Sequence, residues 1–127
     1  MDLQVLIARS ADVCLKPWSH SVVLLAGGDD DQSVVEDLTV RIECRDQEGQ
    51  RHCDRDLELE IYRSGIEINL MLSWWDQPDR PMLWHGRHPV WMDGASGERC
   101  SAPQDAVPLE ALSRRLRSLL QPVDQSG

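Results

Sequence analysis

Residues 38–62 read LTVRIECRDQEGQRHCDRDLELEIY. Leu38, Val40, Ile42 and Cys44 alternate with Thr39, Arg41 and Glu43. A period of two marks a strand with one buried face. Leu57, Leu59 and Ile61 repeat the alternation after the polar stretch RDQEGQRH. A two-residue turn at Glu48-Gly49 would give glycine the position that favours φ > 0. That turn pairs Leu38 with Leu59, Val40 with Leu57 and Arg41 with Asp56. A one-residue slip would send the apolar set to the wrong face, so turn chemistry and pattern support each other.

The same register sets Cys44 opposite Cys53 as a cross-strand thiol pair. At a non-hydrogen-bonded position the Cα atoms sit about 4.5 Å apart, inside the disulfide span of about 4.4–6.8 Å. A reducing compartment favours two free thiols over a bridge. His52 alternates to the opposite face, so it joins neither sulfur as a ligand. Cys14, Cys100, His85 and His88 are possible distant partners for a metal, but no CxxC knuckle and no HxxxH pair is present. No metal and no cofactor is expected.

YRSGIE, 62–67, carries the next turn at Ser64-Gly65. It pairs Ile61 with Ile68, Leu59 with Leu70 and Leu57 with Leu72, and it leaves Arg55 beside Trp74. A three-stranded meander over 35–75 follows. Its reverse face, with Arg41, Asp56, Glu58 and Ser73, should meet water. Further strands are expected at 3–8 (LQVLIA), 20–27 (HSVVLLAG), 82–85 (MLWH) and 89–92 (PVWM), with DVCLKPW and RCSA as shorter candidates. The segment 108–121, PLEALSRRLRSLLQ, is helical by spacing. Leu109, Leu112, Leu116, Leu119 and Leu120 form its stripe, Pro108 suits the first turn and Pro122 ends it. Glu110 and Arg114 make a favourable four-residue pair. The expected fold is α+β: an antiparallel sheet of roughly six to seven strands with this one C-terminal helix packed on one face. A partly closed barrel is the alternative. One domain should cover 1–122, with 123–127 a flexible tail.

The chain has 127 residues and a net charge of −9, and residues 29–60 hold twelve acids against four arginines. Such a surface is unsuited to gripping phosphate backbones. GGDDDQS, 27–33, lacks calcium-loop spacing and reads as a solvated turn. The N-terminal residues have no basic region or apolar core of a signal peptide. No stretch approaches the ~20 apolar residues of a membrane span. A cytoplasmic location is expected, without nucleic acid or membrane as partner.

Trp74, Trp75, Trp84 and Trp91 fall within eighteen residues of a chain that has no phenylalanine. Trp74 continues the inward row. Met71 and Trp75 have the opposite parity, and with Trp84 and Trp91 they are the candidate contact surface for another protein. No phosphate-binding glycine loop, nucleophile elbow or zincin helix is present. The leading expectation is therefore a non-catalytic interaction or assembly factor. A small-molecule or zinc module using the concave sheet face is the alternative. An enzyme built on His85, His88 and Asp76 is the third. A sheet edge, HSVVLLAG or RCSA, could pair two copies.

Overall fold

The computed structural model describes residues 3–27, 37–64, 67–77, 79–104 and 106–120. The chain runs α1 (Leu3–Cys14), β1 (Ser19–Gly27), β2 (Leu38–Arg45), a 3₁₀ turn (Cys53–Arg55), β3 (Leu57–Ser64), β4 (Glu67–Trp74), β5 (Met82–His85), β6 (Pro89–Met92) and α2 (Ala106–Leu120). The six strands form one antiparallel sheet in chain order. The fold is α+β, with two helices rather than the expected one. GGDDDQS and the tail lie largely or wholly outside the described residues.

The helix at 3–14 replaces the expected strand at 3–8. The run VLIA is apolar throughout, and a run that short fits a strand or a buried helix equally. Extended to Cys14 it resolves: Ile7, Ser10 and Ala11 are buried at helical spacing, while Val5 and Val13 stay exposed. DVCLKPW is the end of that helix and a turn, not a strand. RCSA contributes only an isolated bridge, Met92 with Arg99. The C-terminal helix starts at Ala106, and Leu119 leaves its buried stripe, 51% exposed.

Both hairpins are offset from the expected pairing by two residues. Leu38 faces Ile61, Val40 faces Leu59 and Ile42 faces Leu57. At the turn, Asp46 and Gln50 bond through N–H to C=O at 2.9 Å, and Arg45 bridges Arg51. The loop is therefore three residues, 47–49, closed by Gly49 at φ 84°, a shape that needs glycine's left-handed freedom. The 3₁₀ turn then takes up three more residues before the ladder resumes at Leu57. Cys53 falls in that turn and is exposed, while Cys44 is buried in β2 opposite His20. The two thiols are not cross-strand partners. On the other side Ser64 pairs with Glu67, so Leu57 faces Trp74 and Leu59 faces Leu72. The turn residue Gly65 lies outside the described residues.

An offset of two preserves faces, so the inward set stands. Rows Leu38–Ile61–Leu70, Val40–Leu59–Leu72 and Ile42–Leu57–Trp74 line one side. Ile7 and Ala11 of α1 and Leu109, Leu112 and Leu116 of α2 complete the core with them. Full burial of each large side chain contributes about 1.5–3 kcal/mol. Helix α1 packs on β1, α2 packs on β4 and β5, and the helices touch each other. They form one layer that fills the inner face. Arg117 ties α2 to β4: its Nε donates to the Ile68 carbonyl at 2.9 Å and its Nη2 to Glu67 at 2.6 Å.

Candidate functional site

With both helices on one side, the other sheet face is left uncovered by any described element. Alternation sends every second side chain there. One row runs Thr39–Glu60–Met71–Trp84–Val90 across β2 to β6. Another runs Val23–Arg41–Glu58–Ser73 across β1 to β4, and Met82 faces Met92 beyond it. The face is divided. Its β2–β3 half carries Arg41, Glu43, Glu58 and Glu60. Its β4–β6 half carries Met71, Met82, Trp84, Val90 and Met92, all half-buried.

The apolar half is held in place from both ends. Trp84 Nε1 donates to the Tyr62 hydroxyl at 2.6 Å. Its ring lies over Gly86, where a Cβ would come 2.6 Å from Cη2 of the indole and 2.9 Å from Asn69 Oδ1. Glycine is required here by that close approach. At the other end the Arg41 guanidinium sits 4.3 Å from the centroid of Trp75, a half-buried residue just past β4. The expected stack of Arg55 on Trp74 does not form: Arg55 lies over Trp18 and Arg80 over Trp74, each at 4.5 Å.

Of the four expected contact residues, Met71, Trp75 and Trp84 share this face. Trp91 does not. It is 5% exposed in the core, and its Nε1 donates to Glu110 of α2 at 2.6 Å. Glu110 thus serves the core tryptophan. The parity of β6 decides the matter: with Trp91 inward, Val90 and Met92 point outward. Met82, Val90 and Met92 were missed because no register was assigned past residue 75, although alternation around MLWH and PVWM carried the signal.

His85, His88 and Asp76 do not converge. His85 is 4% exposed and pairs with Leu70 of β4, several residues along the strand from the turn that carries Asp76. His88 is exposed in the β5–β6 turn. His85 Nδ1 instead meets Ser113 Oγ at 2.6 Å, and Ser113 donates its hydrogen to the Glu110 carbonyl at 3.1 Å. With His85 4% exposed and Ser113 fully buried, this pair belongs to the core and not to the open face. Burial, followed by the fields of Arg117 and Arg114, lowers the His85 pKa. Among the described residues no group of three or more His, Cys, Asp or Glu is placed to hold a metal ion.

The hairpin that carries the cysteines is a structural joint. Asp56, expected on the water-facing side, is fully buried. Its Oδ1 accepts the Cys44 amide at 2.8 Å. Its Oδ2 accepts Arg41 Nη2 at 2.7 Å and Arg51 Nη2 at 2.5 Å. So Arg41 still reaches Asp56, although its ladder partner is Glu58. Outside the joint, Asp46 accepts His52 at 2.8 Å and the amides of Glu48 and Gln50 at 2.9 Å. Those bonds, the His52 one first, hold its carboxyl below the ordinary carboxylate value. Burial raises the Cys44 and Cys14 thiols.

No curated protein and no solved structure matches the chain. Residues 4–119 match the family model described as a domain of unknown function (DUF8659), and the chain belongs to that family.

Proposed function

We propose that the protein is a non-catalytic binding factor whose open sheet face receives a segment of another protein. The observation that carries this is the contiguous surface of Met71, Met82, Trp84, Val90 and Met92, with Trp75 at its end, on a face no described element covers. Methionines adapt to irregular partners, and tryptophan is the residue type that most often anchors an interface. The rim toward β2 and β3 is acidic, with Glu58 and Glu60, in a chain of net charge −9. The partner segment is therefore apolar with flanking lysines or arginines, and the opposed charges steer its approach. A cytoplasmic setting belongs to the same proposal. The four free cysteines support it, and no described helix is long and apolar enough to cross a membrane.

A displayed random-peptide library selected against the folded protein tests the reading. It should return apolar sequences flanked by basic residues. Met71→Glu and Met92→Glu should each abolish their binding while the circular dichroism spectrum stays unchanged. Recovery of acidic peptides, or binding that survives both substitutions, refutes it.

A further inference from the structure

The two edges of the sheet are finished differently. Along β6, Cys100 N–H donates to the Trp91 carbonyl at 2.9 Å and Arg99 bridges Met92. Asp93 N–H donates to Glu98 at 2.7 Å and folds the segment back. That edge is occupied. Strand β1 pairs with β2 along its length. Among the described residues no backbone hydrogen bond reaches its other side. Val23, Leu24 and Leu25 are 41%, 40% and 44% exposed there.

Bare edges are normally protected by lysine, proline or a bulge. Here the register slips between Leu24 and Ala26, but Ser19 to Leu24 runs as regular strand. Residues 17–28, PWSHSVVLLAGG, are the longest run in the sequence without Asp, Glu, Lys or Arg. That points to one occupant. A two-fold axis sets a surface against itself, so in a chain of net charge −9 most self-contacts oppose like charges. An uncharged strand escapes this, and Val and Leu meet Val and Leu. Among the described residues, Glu43 opposite Ser21 is engaged 3.6 Å from Arg51, and Asp12 of α1 is engaged 3.0 Å from His20. A basic partner would have no acid to meet on β1.

We infer that β1 pairs antiparallel with β1 of a second copy, joining two sheets into one of twelve strands. The axis stands perpendicular to the sheet, so both open faces look the same way. Nine strand spacings separate the two β5 strands, roughly 40 Å at ~4.8 Å each. The inference goes beyond the proposed function, since a dimer would form whether or not the open face binds anything.

Sedimentation velocity on the full chain, from about 1 to 100 µM, tests it. The wild type should shift from monomer to dimer across that range, as expected of a small interface. Raising the salt should strengthen the dimer by screening the net charge. Val23→Lys and Leu25→Lys place like charges at the seam, and each should raise the dissociation constant at least tenfold with an unchanged urea midpoint. Leu119→Lys, equally exposed on α2, should dimerise normally. A wild type monomeric at 100 µM overturns the inference. So does a dimer that survives both β1 substitutions, or one that only Leu119→Lys abolishes.

Discussion

Replacing Asp56 by alanine removes the acceptor on which three groups converge, two from β2 and one from the hairpin loop after it. The Cys44 amide in β2 loses its 2.8 Å bond inside the protein. An orphaned buried donor costs about 1–3 kcal/mol. Arg41 and Arg51 lose contacts of 2.7 and 2.5 Å. Removing one partner of a buried ion pair costs about 3–5 kcal/mol in total. The two guanidinium side chains are 24% and 30% exposed, so solvent offsets part of their loss. Arg41 also keeps Trp75, and Arg51 keeps Glu43. The sum therefore falls at the low end of that range, about 3 kcal/mol. Urea denaturation should show this as a lower midpoint with an unchanged slope, and thermal melting as a drop of about 10 °C. Asp56→Asn keeps an acceptor for the Cys44 amide and should lie between the two. A double-mutant cycle with Arg51→Met should return a coupling energy of about 1 kcal/mol or more. If Asp56→Ala stays within about 0.5 kcal/mol of wild type, the joint does not hold the β2–β3 hairpin.

Gly86→Ala should cost about 1–3 kcal/mol by overpacking, and Trp84→Leu in that background should recover part of the loss; a neutral Gly86→Ala would mean the indole does not lie over the strand. Arg117→Met should cost about 1–2 kcal/mol, since it deletes the bonds to Ile68 and Glu67 but keeps the aliphatic stem; an unchanged urea midpoint would count against the clamp. His85 and His20 are both held below the ordinary imidazole value of 6.5, in each case chiefly by burial. As the pH falls through 6.5 the unfolded chain takes up protons that the folded chain refuses, so stability is full above 6.5 and declines below it. Urea midpoints should fall from pH 7.5 to 5.5 in the wild type, and the slope should flatten in His20→Asn/His85→Asn; equal slopes in the two proteins would exclude these histidines as the source.

Which side of the sheet a residue faces was readable because strand parity depends only on local alternation. Leu38, Val40, Ile42, Leu57, Leu59 and Leu72 all point inward as the pattern implied. Which residue faces which was not readable. That depends on how many residues a turn absorbs, and Cys53–Arg55 takes up three in a 3₁₀ turn that no pattern announces. The Cys44–Cys53 pairing went with it. So did the expectation of a solvated Asp56, whose burial follows from two arginines that approach from different segments. Helix α1 was missed because VLIA contains no polar residue to break the tie between periods. Met71 and Trp75 were legible as a surface from parity, whereas Trp84 and Trp91 needed the β4–β5 and β5–β6 registers.

The order of the strands has a consequence for synthesis. Each ladder joins consecutive strands, so each new strand finds its partner by closing a short loop, which costs little entropy. The helix layer does not assemble that way. Helices α1 and α2 come from opposite ends of the described chain, yet they pack against each other. A ribosome releases α1 first and α2 after every strand is out. Until then the inner side of β4 and β5, with Leu70, Leu72 and Leu83, lacks the helix that packs on it. The nascent protein carries a finished sheet with one apolar flank open, and that interval is when a chaperone has a surface to hold.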